Sequence, residues 1–273
     1  MSKARDPSAG ELLAADALPR PEARALLSHV LGEPRERLIA HPERPIDHAS
    51  AQRFNELVAR RLAGEPLAYL LGAREFFGRS FEVSPAVLIP RPETELLVEV
   101  ALELLAGRNA PRILELGTGS GCIAITLALE RSDATVVATD ISLPALAVAR
   151  TNAETLGARV NWKQSDWFSD LERQAPFDLI VSNPPYVAAG DAYLDALAYE
   201  PTDALTDHGD GLGCLRTLAA AAPSFLAPDG WLVLEHGYDQ ARAVRGLLTV
   251  AALCEVGSRR DAAGIERVSL GRR

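Results

Sequence analysis

From residue 111 onward two hydrophobic periods alternate, and nothing else in the chain constrains the fold as strongly. The short β-branched or apolar runs "RILEL", "TVVATD", "RVNWKQ" and "FDLIVS" read as strands. Between and after them, "GCIAITLALE", "LPALAVARTNAETLG" and "GCLRTLAAAAPSFL" carry apolar residues at helical spacing. "GWLVLEH" is a further strand, a helix begins near Asp239, and "AALCEVGS" and "IERVSLG" complete seven strands. Regular strand–helix alternation implies parallel strands with helices on both faces, a doubly wound, mainly parallel α/β sheet. The last two strands have no helix between them, so they are expected as an antiparallel pair at one edge.

The front part is different. "AGELLAADAL", "PEARALLSHVLG" and "DHASAQRFNELVARRLAG" each show helical periodicity. Gly32 and Gly64 are placed as stops, and Asp47 or Ser50 as the cap of the third helix. Residues 1–73 are therefore expected as a helical bundle domain for docking or support, since no catalytic cluster occurs there. "REFFGRSFEVS" predicts a short hairpin turning at Gly78, and Pro90 and Pro92 stiffen an entry into a helix near Glu93. Residues 74–92 are read as hairpin and linker, and 93–273 as the catalytic domain. Arg91 and Glu95 at this join either line a cleft or pair with each other.

Composition narrows the function. The chain is 48% hydrophobic and 24% charged, an ordinary globular balance, and no run approaches the ~20 apolar residues of a membrane helix. The leading segment mixes charges throughout and is not expected to be a secretory signal. Three widely spaced cysteines, Cys122, Cys214 and Cys254, suit a reducing cytoplasm and offer no metal-like pairing. The net charge is −9, and residues 1–75 hold 11 basic and 11 acidic side chains, so the excess acid lies wholly in the remainder. A surface that grips nucleic acid broadly needs clustered Lys and Arg, so direct nucleic-acid binding is not expected.

"ELGTGSG" (115–121) sits between the first parallel strand and its helix. Gly117, Gly119 and Gly121 allow a sharp turn and close approach of backbone N–H groups, with Thr118 and Ser120 between them. Nineteen residues after Gly121, Asp140 ends the second strand, where a carboxylate accepts from the hydroxyls of an adenosine ribose. The spacing is G-x-G-x-G, not the G-x-G-x-x-G that receives a dinucleotide pyrophosphate. Glu115 would repel a phosphate but attract an ammonium group. S-adenosylmethionine has adenosine at one end, an ammonium and a sulfonium at the other, and no phosphate; the charge comparison favours it over NAD. The alternative for Glu115 is a surface or salt-bridged acid. In "SDWFSD", Asp166 can accept from the adenine amine; Trp167 and Phe168 either stack on the base or belong to the core.

"VSNPPYV" (181–187) ends the fourth strand, beside the first in a doubly wound sheet and so beside the crevice. The S/N/D-P-P-Y pattern resembles the signature of methyltransferases acting on planar amino or amide nitrogens. Such a nitrogen is a poor nucleophile because its lone pair is delocalised. The Asn183 side-chain carbonyl and the Pro184 backbone carbonyl can each accept one N–H bond and turn the lone pair towards a methyl group. Pro185 fixes the loop and Tyr186 packs against the substrate plane, so catalysis needs orientation and hydrogen bonding and no strong base.

Together "RRLAGEPLAYLLGAREFFG", "VLIPRPETELLVE", "ILELGTGSGCIAI", "SDWF", "VSNPPYV", "YEPTDAL" and "GWLVLEHGYDQ" resemble the bacterial release factor glutamine methyltransferases, the PrmC/HemK family. The resemblance runs from about residue 60 to the C-terminus. It implies a class I S-adenosylmethionine methyltransferase fold whose substrate is the Gln side-chain amide in the Gly-Gly-Gln tripeptide of peptide chain release factors. It also implies that residues 117–121, Asp140 and Trp167 bind the cofactor and that Asn183 to Tyr186 hold the Gln. Glu115 stands where the family often has Asp, and His236 where many members have Ile, so His236 is not read as catalytic. A cytoplasmic monomer, without metal or membrane contact, is the simplest expectation. The rivals are an N6-adenine-type DNA methyltransferase, which needs a basic groove, an rRNA methyltransferase, an NAD-dependent oxidoreductase and a non-catalytic binding protein.

Overall fold

The structure, a computed structural model, describes residues 5–15, 17–171 and 176–273. Asp16, within the first expected helix, and the first four residues of the leading segment lie outside the described residues. The chain divides into two compact units, Met1–Ala73 and Arg74–Arg273.

The first unit is helical: α1 (Ala9–Ala15), α2 (Arg20–Leu31), α3 (Arg35–Ala40), α4 (His48–Leu62) and α5 (Leu67–Leu71). Its core joins Leu26, Leu27, Leu38, Ile46, Phe54 and Leu70. Asp47 is the cap of α4, its carboxylate accepting from the Ser50 N–H at 3.0 Å, and Gly32 ends α2 in the left-handed region. The short helices α3 and α5 leave no mark in the sequence pattern because six and five residues span too few turns to show a period.

A hairpin follows, β1 (Ala73–Phe76) and β2 (Arg79–Glu82), all but its first residue in the second unit. Both turn residues, Phe77 and Gly78, have positive φ, the geometry that matches strand twist in a two-residue hairpin. Phe76 and Phe81 are fully buried in the core that lies on one face of the main sheet. A single 3-10 turn at Pro92–Thr94 then leads into α6 (Glu95–Leu104).

The main sheet is built from β3 (Arg112–Leu116), β4 (Thr135–Asp140), β5 (Asn161–Gln164), β6 (Phe177–Ser182), β7 (Leu226–Glu235), β8 (Cys254–Arg260) and β9 (Glu266–Arg272). Between them run α7 (Cys122–Glu130), α8 (Leu143–Leu156), the one-turn α9 (Tyr193–Ala196), α10 (Gly213–Ala221) and α11 (Ala241–Val250). The order is β5-β4-β3-β6-β7-β9-β8, with every pairing parallel except the two made by β9. Separate apolar clusters cover the two faces, one around Leu97, Ile123 and Ile125, the other around Leu215, Leu218 and Val244. The central strands are apolar on both sides because both are covered. β9 slots between β7 and β8, so the antiparallel pair closes one edge.

The topology fixes where chemistry can occur. From β3 the chain crosses to β4 on one side, while β6 pairs with β3 on the other. Loops leaving the C-terminal ends of these strands diverge there and open a crevice. At these ends stand the Gly-rich turn after β3, Asp140 as the last residue of β4, and Asn183 after β6.

Candidate active site

The Gly-rich turn is held from below and from the side. Its Thr118 N–H donates to Thr139 O at 2.9 Å, and Gly119 N–H donates to Asp140 Oδ2 at 2.8 Å. The Asn152 amide on α8 donates to Ser120 O at 2.9 Å and to Glu82 O at 3.0 Å, tying the turn to the hairpin. Gly121 begins α7 at φ 81°, where a Cβ would lie 2.9 Å from Ile125 Cδ1 and 3.1 Å from both Ala149 Cβ and the Trp162 ring. A side chain there would have to displace these neighbours and hold a left-handed φ, which favours glycine.

Glu115 is neither on the surface nor salt-bridged. It is fully buried on β3, and its Oε2 accepts from Thr118 Oγ1 at 2.6 Å and from Ala124 N–H at 2.9 Å. Its Oε1 is buried without a hydrogen-bond partner. Burial pushes this carboxyl up to about 8, against the two hydrogen bonds. Asp140 is also raised by burial, though Ser142 and Gly119 each donate a backbone N–H to it at 2.8 Å. One N–H on each oxygen leaves lone pairs on both for further donors.

These groups line a cavity of about 450 Å³, with Gly117, Thr118, Gly119, Ser120, Asp166, Trp167, Asn183 and Pro185. The Trp167 ring lies over the turn, 3.5 Å from the place a Gly117 Cβ would occupy, and its backbone has φ 48°. The Ser165 hydroxyl steadies this bend by donating to Trp167 O at 2.8 Å. Phe168 points the other way: it is buried and stacks on Phe225 at 4.6 Å between centroids. Of the two aromatics, only Trp167 faces the cavity.

Asn183 lines this cavity and also a second one of about 730 Å³, shared with Arg91, Glu93, Pro184, Tyr186, Glu235 and Gln240. Its Nδ2 donates to Thr94 Oγ1 at 3.2 Å. Tyr186 donates its hydroxyl to Glu235 Oε1 at 3.3 Å, while its backbone carbonyl accepts from Gln240 Nε2 at 3.0 Å. Burial and the neighbouring Glu235 carboxylate push the Tyr186 hydroxyl far up, so the ring is neutral. Arg91 and Glu95 do not pair: Arg91 binds the buried Glu200, and Glu95 accepts from Phe77 N–H at 2.8 Å. His236 is buried, its ring bonded to Gly237 O and Ser269 Oγ, both at 2.9 Å.

Sequence reasoning assigned no role to Thr94, Glu200 or Glu235. Glu235 did leave a signal, a charge at the end of the apolar run "GWLVLE", on the same sheet edge as Glu115 and Asp140. Thr94 left none, because a Thr after "PE" reads as ordinary helix entry.

A seven-stranded sheet in this order, with a Gly-rich turn after its first strand and an acid after its second, defines a class I methyltransferase. A solved methyltransferase from Pyrococcus furiosus has the same fold, with a TM-score of 0.53 at 20% identity, covering 78% of this chain and 96% of that one. Residues 8–72 match the PrmC N-terminal domain family and residues 92–211 the methyltransferase small domain family. The release factor glutamine methyltransferase of Bordetella pertussis is 56% identical over 96% of this chain and 97% of its own. That of Burkholderia pseudomallei is 51% identical over 97% and 96%. The chain belongs to the release factor glutamine methyltransferase family.

Proposed function

We infer that this protein transfers a methyl group from S-adenosylmethionine to the side-chain amide nitrogen of the Gln in the Gly-Gly-Gln motif of peptide chain release factors, supporting translation termination. The observation that carries the reading is the meeting of two cavities at Asn183, one built around Glu115 and Asp140, the other around Pro184 and Tyr186. The donor set suits the cofactor: Glu115 Oε1, buried and unpartnered, takes an ammonium group, and Asp140 takes the ribose hydroxyls. Gly117 to Ser120 line its path, Gly121 packs behind them against Ile125, Ala149 and Trp162, and Asp166 and Trp167 flank the base. When bound, S-adenosylmethionine supplies an electrophilic methyl group. Asn183 Oδ1 and the Pro184 carbonyl each accept one N–H of the Gln amide, which draws the nitrogen out of conjugation. Pro185 stiffens the loop and Tyr186 covers the amide plane; the nitrogen that gains the methyl becomes strongly acidic and gives one N–H proton up to solvent, so positioning replaces a strong base.

The protein substrate docks through the helical unit, residues 1–73, and the hairpin and linker, residues 74–92, carry into the catalytic domain. A monomer acting in the cytoplasm suffices for this reaction. None of the described helices is long and apolar enough to cross a membrane. The test asks which substrate takes up the methyl group. The protein is incubated with labelled S-adenosylmethionine and, separately, a release factor, an unmethylated DNA duplex and rRNA. Label is expected in the release factor, and label confined to either nucleic acid would overturn the reading.

A further inference from the structure

The amino-acid end of S-adenosylmethionine carries a carboxylate as well as an ammonium group, and Glu115 and Asp140 leave that carboxylate without a partner. The cavity around them is acidic throughout, since Asp166, Asp203 and Asp207 line it as well. A carboxylate entering among five others is repelled unless a cation stands beside it. Among the described residues lining this cavity, Arg91 is the only Arg or Lys. His208 also lines it, but its ring is engaged by Asp203 at 2.8 Å.

Local sequence and packing hold Arg91 in place. Pro90 stiffens the backbone before it, and Pro92 keeps it extended, at φ −97° and ψ 144°. Its Nη2 donates to Oε1 of Glu200, whose side chain is only 2% exposed. The other Glu200 oxygen accepts from the Ile89 N–H at 3.0 Å. One buried carboxylate thus grips both the guanidinium and the backbone two residues ahead of it.

The anchor does not exhaust the guanidinium. An Arg side chain has five N–H donors in a planar fork that matches a carboxylate. Glu200 is the only hydrogen-bond partner of the Arg91 side chain among the described residues, and 29% of that side chain is exposed. The remaining donors are already oriented, so little rotamer freedom is lost when a ligand arrives.

We propose that Arg91, anchored on Glu200, binds the carboxylate of S-adenosylmethionine. The proposal rests on the cofactor placement above. With Glu115 on the ammonium group and Arg91 on the carboxylate, each charge of the amino-acid end meets its opposite. The cavity then selects an intact amino acid over the corresponding amine. Arg91 also lines the second cavity, where its donors would suit a substrate carbonyl instead, and the test separates the two uses.

Calorimetry on the full chain compares S-adenosylmethionine with decarboxylated S-adenosylmethionine, which keeps the adenosine, the sulfonium and the ammonium group. The wild type should bind the intact cofactor roughly ten- to a hundredfold more tightly. Arg91→Gln, which can still donate to Glu200, should lose most of that preference while its affinity for the decarboxylated analogue stays within about twofold of wild type. Arg91→Lys should keep part of the preference. Damage to packing alone would weaken both ligands alike. Equal wild-type affinity for the two ligands would overturn the assignment and leave Arg91 to the substrate cavity. A preference that survives in Arg91→Gln would place the carboxylate elsewhere. Should Arg91→Gln bind neither ligand, Arg91→Lys decides: one ammonium in place of the fork should narrow the preference, and a wild-type ratio would overturn the assignment. Failure of the wild type to bind either ligand would overturn the cofactor placement, and the proposal with it.

Discussion

Glu115 and Asp140 are two buried acids with different tasks, and each makes a distinct prediction. Glu115 has one oxygen satisfied twice and the other not at all, and its carboxyl stands near 8. An arriving ammonium group favours the ionised form, so cofactor binding at pH 7 should release protons, approaching one per site. Calorimetry in buffers of different ionisation enthalpy reads this directly, and Glu115→Gln should abolish it. The same raised value has a sign in folding. The folded state without ligand holds a proton that the unfolded chain has lost above about pH 4.5, so stability falls as pH rises from there to about 8. Asp140→Ala should cost on the order of 1.5–3 kcal/mol of cofactor binding, a roughly ten- to hundred-fold rise in Kd. Part of that loss comes from the Gly119 and Ser142 N–H groups, which lose their acceptor. An unchanged Kd would place the ribose elsewhere.

At the scale of elements, the Gly-rich turn is closely packed where it enters α7. Gly121→Ala should destabilise the protein by about 1–3 kcal/mol, because its Cβ would meet Ile125, Ala149 and Trp162 at a left-handed φ. A thermal melt of the variant checks this, and a melting temperature equal to wild type would mean that the turn yields easily. The turn is legible in the sequence because glycine at alternate positions after an apolar strand has few other uses. The central strands are legible for a related reason: a sheet covered on both faces leaves short apolar stretches, Ile113 and Leu114 in β3 and Leu179, Ile180 and Val181 in β6. Partnership across the sequence stays hidden. Thr94 and Glu235 are far along the chain from the Asn183–Tyr186 loop they touch, and nothing local marks such a contact. Trp167 and Phe168 are indistinguishable as neighbours in sequence, and only packing separates the one that faces the cavity from the one that stacks on Phe225.

For the whole molecule, the helical unit has an apolar core of its own, centred on Leu26, Leu27 and Phe54. If that unit docks a folded release factor, its removal should depress methylation of the protein far more than of a short Gly-Gly-Gln peptide. The peptide needs only the Asn183–Tyr186 loop. Circular dichroism on the truncated chain, with rates on both substrates, checks the expectation. Equal losses on both substrates by a folded truncation would remove the docking role.

The central claim is that Asn183 orients a Gln side-chain nitrogen for methyl transfer. The most direct measurement maps the product: a release factor is treated with S-adenosylmethionine and either wild-type protein or Asn183→Ala, then digested and sequenced by mass spectrometry. The wild type should leave a single methyl on the side-chain nitrogen of the Gly-Gly-Gln glutamine. Asn183→Ala should leave almost none, although calorimetry shows it still binding the cofactor with only modest weakening. A methyl on another residue, or wild-type yield from Asn183→Ala, would contradict the account.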